Sequence, residues 1–139
     1  MNEDPNEVQL PAHVLVHPEL TNDPANKQGE IGFITAAILN TDEFYIGFDD
    51  SEVGFYGADA LLMLKDPEQL YEYIDQNFGK LSTRDFKDLK NIVLLQLHGT
   101  EKHTRAALEL VQKNNGIRDA ATMGLDNFLG LSQQKGLKR

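Results

Sequence analysis

The rhythm of apolar and polar positions changes once along this chain, near residue 65. Before that point it is the two-residue period of strands. Phe44, Ile46 and Phe48 alternate with Tyr45 and Gly47, as in a strand with one buried face. Residues 31–39 are dense in Ile, Phe, Thr and Ala, and Asn40-Thr41-Asp42 supplies turn chemistry between the two runs. Asp49-Asp50-Ser51-Glu52 is too polar to pack and leads into Phe55-Tyr56, which predicts a second hairpin. Gly-Ala-Asp-Ala at 57–60 reads as one helical turn before a last short strand at 61–64. Upstream, Val14-Leu15-Val16 reads as a short apolar strand, followed by a polar excursion from 18 to 28 that is long for a compact domain, as loops are that either carry function or are merely loose.

After residue 65 the period is that of helices. Asp66 can cap a helix with Pro67 in its first turn, and Leu70, Ile74 and Phe78 form its buried stripe up to Gly79. Ser82 starts a second helix that buries Phe86, Leu89, Val93 and Leu97. Ile92, Leu94 and Leu95 are apolar too, which predicts cover on more than one side. Gly99 stops it, and Thr100 caps a third helix running to Asn114. Helices two and three should then form an αα-hairpin. A last helix is predicted over 119–131, weakened by Gly124 and Gly130, with Ala121, Leu125, Phe128 and Leu129 on one side. It reads either as a helix docked on its own domain or as a partner-binding arm.

The first half resembles the small five-stranded β-barrel of the Src-homology-3, KOW and Tudor kind. The carriers are Gly29-Glu30-Ile31-Gly32, residues 44–50 and residues 56–64. The resemblance implies an α+β fold, a small barrel followed by three to four helices. The expected organisation is a leader at 1–11, an acidic barrel at 12–65, a helical region at 66–131 packed on or beside it, and a basic tail at 132–139. A superfold of this size implies architecture and not activity.

Charge changes the picture most. Residues 1–65 carry twelve acids against only Lys27 and Lys65, a net of −10, whereas residues 66–139 hold eleven bases and ten acids. So acidic a first half would repel phosphate backbones, which disfavours nucleic acid as a partner. With no cysteine there is no thiol nucleophile and no cysteine metal site, in keeping with a cytoplasmic setting. The N-terminal residues are acidic and lack the apolar core of a signal peptide. No apolar run approaches the length of a membrane span.

Candidate chemistry is sparse. His13 and His17 lie too far apart on a strand to share one metal, and His98 and His103 lack the spacing of a zinc helix. The acids Asp42, Glu43, Asp49, Asp50 and Glu52 fail the calcium-loop template, because Val53 and Ala60 stand where oxygen ligands belong. Gly29-x-x-Gly32 encloses Glu30 and not a base, and Gly130-Leu131-Ser132 lacks the second glycine of a nucleophile elbow. No catalytic residue, metal ligand or cofactor is therefore assigned. Lys87, Lys90, Lys102 and Arg105 are interleaved with Asp85, Asp88 and Glu101, as on a solvated helix face.

A bulge at Gly32 would turn Ile31 and Ile34 inward and Phe33 outward, while Tyr45 is out of phase with Phe44 and Tyr56 with Phe55. Phe33, Tyr45 and Tyr56 are therefore the candidate binding residues, on an outer face that is either a recognition patch or covered by the helices. The sequence points to a non-enzymatic cytoplasmic protein–protein interaction module, an adaptor or regulator. Two alternatives stand beside it: an acidic inhibitor or nucleic-acid mimic that fills a basic cleft, and an enzyme whose site no motif betrays. The expected partner is a protein, with no membrane attachment, and the C-terminal helices could also carry a homo-oligomer.

Overall fold

A computed structural model describes residues 9–136, with side chains described for 9–130. Expectations that fall on residues 1–8 and 137–139, and on the side chains of the basic tail, lie outside the described residues. The fold is α+β. Its strands are β1 (His13–Val16), β2 (Ile31–Ile38), β3 (Glu43–Gly47), β4 (Val53–Tyr56), β5 (Leu61–Leu64) and β6 (Thr122–Gly124). The helices are α1 (Pro67–Asn77), α2 (Thr83–His98), α3 (Glu101–Lys113), α4 (Arg118–Ala121) and α5 (Leu125–Gly136).

The strands form one antiparallel sheet in the order β4-β3-β2-β1-β5-β6, and this corrects the barrel expected from the resemblance. The sheet stays open. The reason lies at its two ends: β6, from the C-terminal part of the chain, takes the free side of β5 through Leu62↔Gly124 and Leu64↔Thr122, while among the described residues β4 pairs with β3 alone. Helices, and not a closing strand, then cover the apolar faces. The same strand corrects the helix expected over 119–131, which is split into α4, β6 and α5. Thr122 leaves the helical region at φ −124° and ψ 161°, and its hydroxyl donates to the Arg118 carbonyl at 2.7 Å, terminating α4 after one turn.

Alternation along the central strands feeds two cores. Leu15, Ile31, Leu62 and Leu64 point to one side and pack with Leu70, Leu89, Ile92, Leu108, Val111 and Ile117 of the helical half. Val14, Val16, Phe44, Ile46, Tyr56 and Leu61 point to the other, where Leu125 and Leu129 of α5 complete the cluster. β1 is thus buried on both faces, so its Val-Leu-Val carries no alternation in hydrophobicity.

The helix starts follow the caps expected of them. Asp66 accepts from the Gln69 N–H in a reciprocal capping box, Ser82 accepts from Asp85, and Thr100 accepts from His103. Gly99 ends α2 at φ +77°, a left-handed conformation that glycine adopts without a Cβ penalty. Two positions expected in the core are not there. Phe78 lies past the end of α1 in a 3-10 turn, and Leu97 is on the outer side of α2; both are exposed. α1 and α3 both pack on α2, so Ile92 is buried and Leu95 lies against the core as expected, but Leu94 is left exposed as well.

Candidate binding surface

The expected bulge lies in β2 at Thr35 and not at Gly32. Register runs Phe33↔Gly47 and Ile34↔Ile46, then resumes at Ala36↔Tyr45, so Thr35 is the extra residue, and its hydroxyl donates to the Tyr45 carbonyl at 2.9 Å. Ile31 and Phe33 therefore share a face, with Gly32 and Ile34 on the other. Gly32 has a different task. A Cβ there would meet Ile46 Cγ2 at 2.4 Å and the Gly47 carbonyl oxygen at 2.8 Å, so the close approach of β2 and β3 requires glycine.

Antiparallel pairing then decides which aromatics meet. Tyr45 stands opposite Phe55, and their rings are 5.2 Å apart, tilted by 42°. Phe44 stands opposite Tyr56 on the reverse side. The structure thus brings Phe33 and Tyr45 to one surface but places Tyr56 in the core at 5% exposure, while its neighbour Phe55 is 57% exposed. Alternation within β4 alone puts Tyr56 outward, and register to β3 reverses it. The Tyr56 hydroxyl donates to Asp23 at 2.9 Å, and burial, with that carboxylate beside it, raises the phenol well above its usual range.

The resulting patch has two rows. In the first, the Phe33 ring lies over Gly47, within 2.8 Å of where a Cβ would stand, with exposed Val53 on the far side. In the second, Tyr45 and Phe55 stand side by side with their rings tilted. Helices α1–α3 cover the β1 and β5 end of this face and leave Phe33, Val53 and Phe55 exposed. Among the described residues β4 is an edge strand, with no strand on its outer side.

Carboxylates rim the patch at both ends. Residues 31–56 contain Asp42, Glu43, Asp49, Asp50 and Glu52 and not one basic side chain. Two cations reach in from elsewhere. Arg105 of α3 binds Asp49 at 2.7 Å, and Lys27, from the polar loop, pairs with Asp50 and, at 3.4 Å, with Glu52. The hydrogen bond between Lys27 and Asp50 raises the lysine above its ordinary value and lowers the carboxyl below its own. The loop from 18 to 28 is held to the fold by these bonds and by Asp23, which accepts from the N–H groups of Ala25 and Lys27. Among the described residues, five carboxylates against these two cations leave the rim net anionic.

His13 borders Phe33 edge-on at 6.5 Å, and its buried Nδ1 has no hydrogen-bond partner. Burial first, then the charge of Arg105, hold its imidazole below the ordinary histidine value, against the opposing pull of Glu101 and Asp49. A lowered folded value means that the unfolded chain binds the proton more readily, so His13 contributes stability that is full above about pH 6.5 and is lost as pH falls. Urea midpoints at about pH 7 and pH 5 are expected to fall with acid in the native protein, and His13→Leu should flatten that fall. An unchanged slope in the variant would place the sensitivity elsewhere.

A second exposed apolar surface lies between α1 and α2, a groove of about 400 Å³ whose walls include Tyr71, Phe78, Phe86, Leu94 and Leu97. His98 and His103 stack at 4.4 Å across the turn from α2 to α3, and among the described residues no group of three or more His, Asp or Glu side chains is arranged to hold a metal. Nor is any described helix long and apolar enough to cross a membrane. Comparison with protein-family models, with curated proteins and with solved structures finds no match to this chain.

Proposed function

We propose that this protein is a cytoplasmic, non-enzymatic interaction module that takes an extended, basic segment of a partner protein on the aromatic face beside β4. The observation that carries the reading is the coincidence, on one edge strand, of exposed apolar and aromatic side chains with an anionic rim. An added strand would satisfy the outward backbone groups of β4, and its alternate side chains would fall on the surface formed by Phe33, Tyr45, Val53 and Phe55. Cationic side chains suit both parts of that surface. Guanidinium groups stack on aromatic faces, and the carboxylates at the turns supply the opposite charge. Asp42, Glu43 and the Asp49–Glu52 turn also disfavour an acidic strand and a nucleic-acid backbone.

The probe is a ten-residue peptide of alternating arginine and valine, followed by fluorescence anisotropy, with the glutamate–valine counterpart and duplex DNA as controls. Binding of the arginine peptide alone is expected, weakened about tenfold or more by Phe55→Ala, the size of effect seen when an interface anchor is truncated. Because Phe55 is more than half exposed, its melting temperature should stay within a few degrees of the parent. Equal binding of both peptides, or binding that ignores Phe55→Ala, would refute the reading.

A further inference from the structure

We infer that the groove between α1 and α2 is closed by the same groove of a second copy of this chain, giving a two-fold dimer with a four-helix interface. The groove is built of large apolar side chains that the monomer leaves in water. Tyr71 and Phe78 stand on the α1 side and Leu94 and Leu97 on the α2 side, all four exposed, with Phe86 edge-on to Phe78 at 5.5 Å between them. Exposed apolar surface of this kind marks an interaction site.

Charge selects the occupant. On the α1 wall the charged lining residue is acidic, Asp75, and the exposed Glu68 and Glu72 lie on the same helix, whose residues 67–77 include no base. On the α2 wall the charged lining residue is basic, Lys90, 5.8 Å above the Phe86 ring, with Lys87 exposed on the same helix. A two-fold axis running along the groove sets α1 of each copy over α2 of the other, so each acidic wall meets a basic one and Asp75 faces Lys90 across the axis twice. A groove with one acidic and one basic wall is complementary to itself in this orientation, which is the requirement for an isologous interface. The whole-chain charge distribution agrees. Residues 1–65 carry a net of −10 and repel their own kind, whereas residues 66–139 are close to neutral, so two copies meet at least electrostatic cost through their helices. The arrangement buries Leu94 and Leu97 between four helices, as in a bundle core.

Sedimentation equilibrium of the full chain over about 5 to 200 µM tests it, a range that reports dissociation constants in the micromolar region. A mass rising toward twice 15.6 kDa is expected. Leu97→Asp should hold the protein monomeric, and since that side chain is 67% exposed its circular dichroism should be unchanged. Lys90→Asp should weaken the dimer about tenfold or more, and the exchange Asp75→Lys with Lys90→Asp should restore it, because the pair is re-formed between copies. A monomer across the whole range would overturn the inference and leave the groove to a different protein. A dimer indifferent to Leu97→Asp, or one that the double exchange fails to restore, would overturn it equally. The outcome is independent of the peptide site on the sheet, which can be titrated on the Leu97→Asp variant.

Discussion

A chain cut after Lys65 is expected not to fold. Although residues 12–65 contain five of the six strands, β1 is buried on both sides by elements that come later. On one side Leu15, Ile31, Leu62 and Leu64 lie under α1, α2 and α3, and on the other Val14, Val16 and Leu61 pack with Leu125 and Leu129 of α5. Stripping the helices returns at least the first four side chains to water. At roughly 1.5–3 kcal/mol for each fully buried aliphatic, that loss is on the order of 6–12 kcal/mol, comparable to the roughly 5–15 kcal/mol that holds a whole domain together. Two-dimensional amide spectra of the 9–65 fragment should lack dispersion. A well-dispersed spectrum would show the sheet to be a unit of its own.

Gly32→Ala should lower stability by about 3 kcal/mol, an overpacking effect at the upper end of the usual range. The added methyl has no free direction: it meets the Ile46 side chain at 2.4 Å, the Gly47 carbonyl oxygen at 2.8 Å and the Phe48 ring at 2.9 Å. Side chains can turn aside, but the carbonyl belongs to a paired strand, so β2 and β3 must separate. Gly79→Ala is the matched control. Nothing lies within 4 Å of its Cβ position and its φ is not in the left-handed region, so the same substitution there is expected to be neutral or to stabilise by about 0.5 kcal/mol through the unfolded chain. Urea unfolding of the two variants reads the contrast directly, and equal losses at both sites would contradict the close approach described for Gly32.

What the sequence shows and what it hides follow one physical division. Short-range chemistry was legible. Asp66, Ser82 and Thr100 start the helices where their side chains can accept from the next turn, and Gly99 stops α2, because caps depend on residues three or four apart. Pairing between distant segments was not. Thr122-Met123-Gly124 looks like the middle of a weak helix until β5 offers it an edge 60 residues away, and that one strand separates an open sheet from the barrel the first half resembles. The binding face fell between the two cases. Register brings Phe33 and the half-buried Tyr45 to one surface, though on the face of Ile31 and not opposite it, while Tyr56 and Phe55 exchange places, since their sides are set by register to β3 and not by period within β4. Tyr56 also accounts for the polar loop: its hydroxyl reaches Asp23, 33 residues before it. The excess of apolar residues on α2 implied burial, Leu97 included, and only the packing shows that Leu94 and Leu97 are left uncovered.

Amide chemical-shift mapping during titration with the arginine–valine peptide tests the central claim most directly, because it reports where on the surface a basic extended segment sits. If the account holds, the largest changes fall on Val53, Gly54, Phe55 and Tyr56 of the edge strand, with smaller ones at Phe33 and Tyr45. Changes confined to α1 and α2, or no saturable change anywhere, would contradict it.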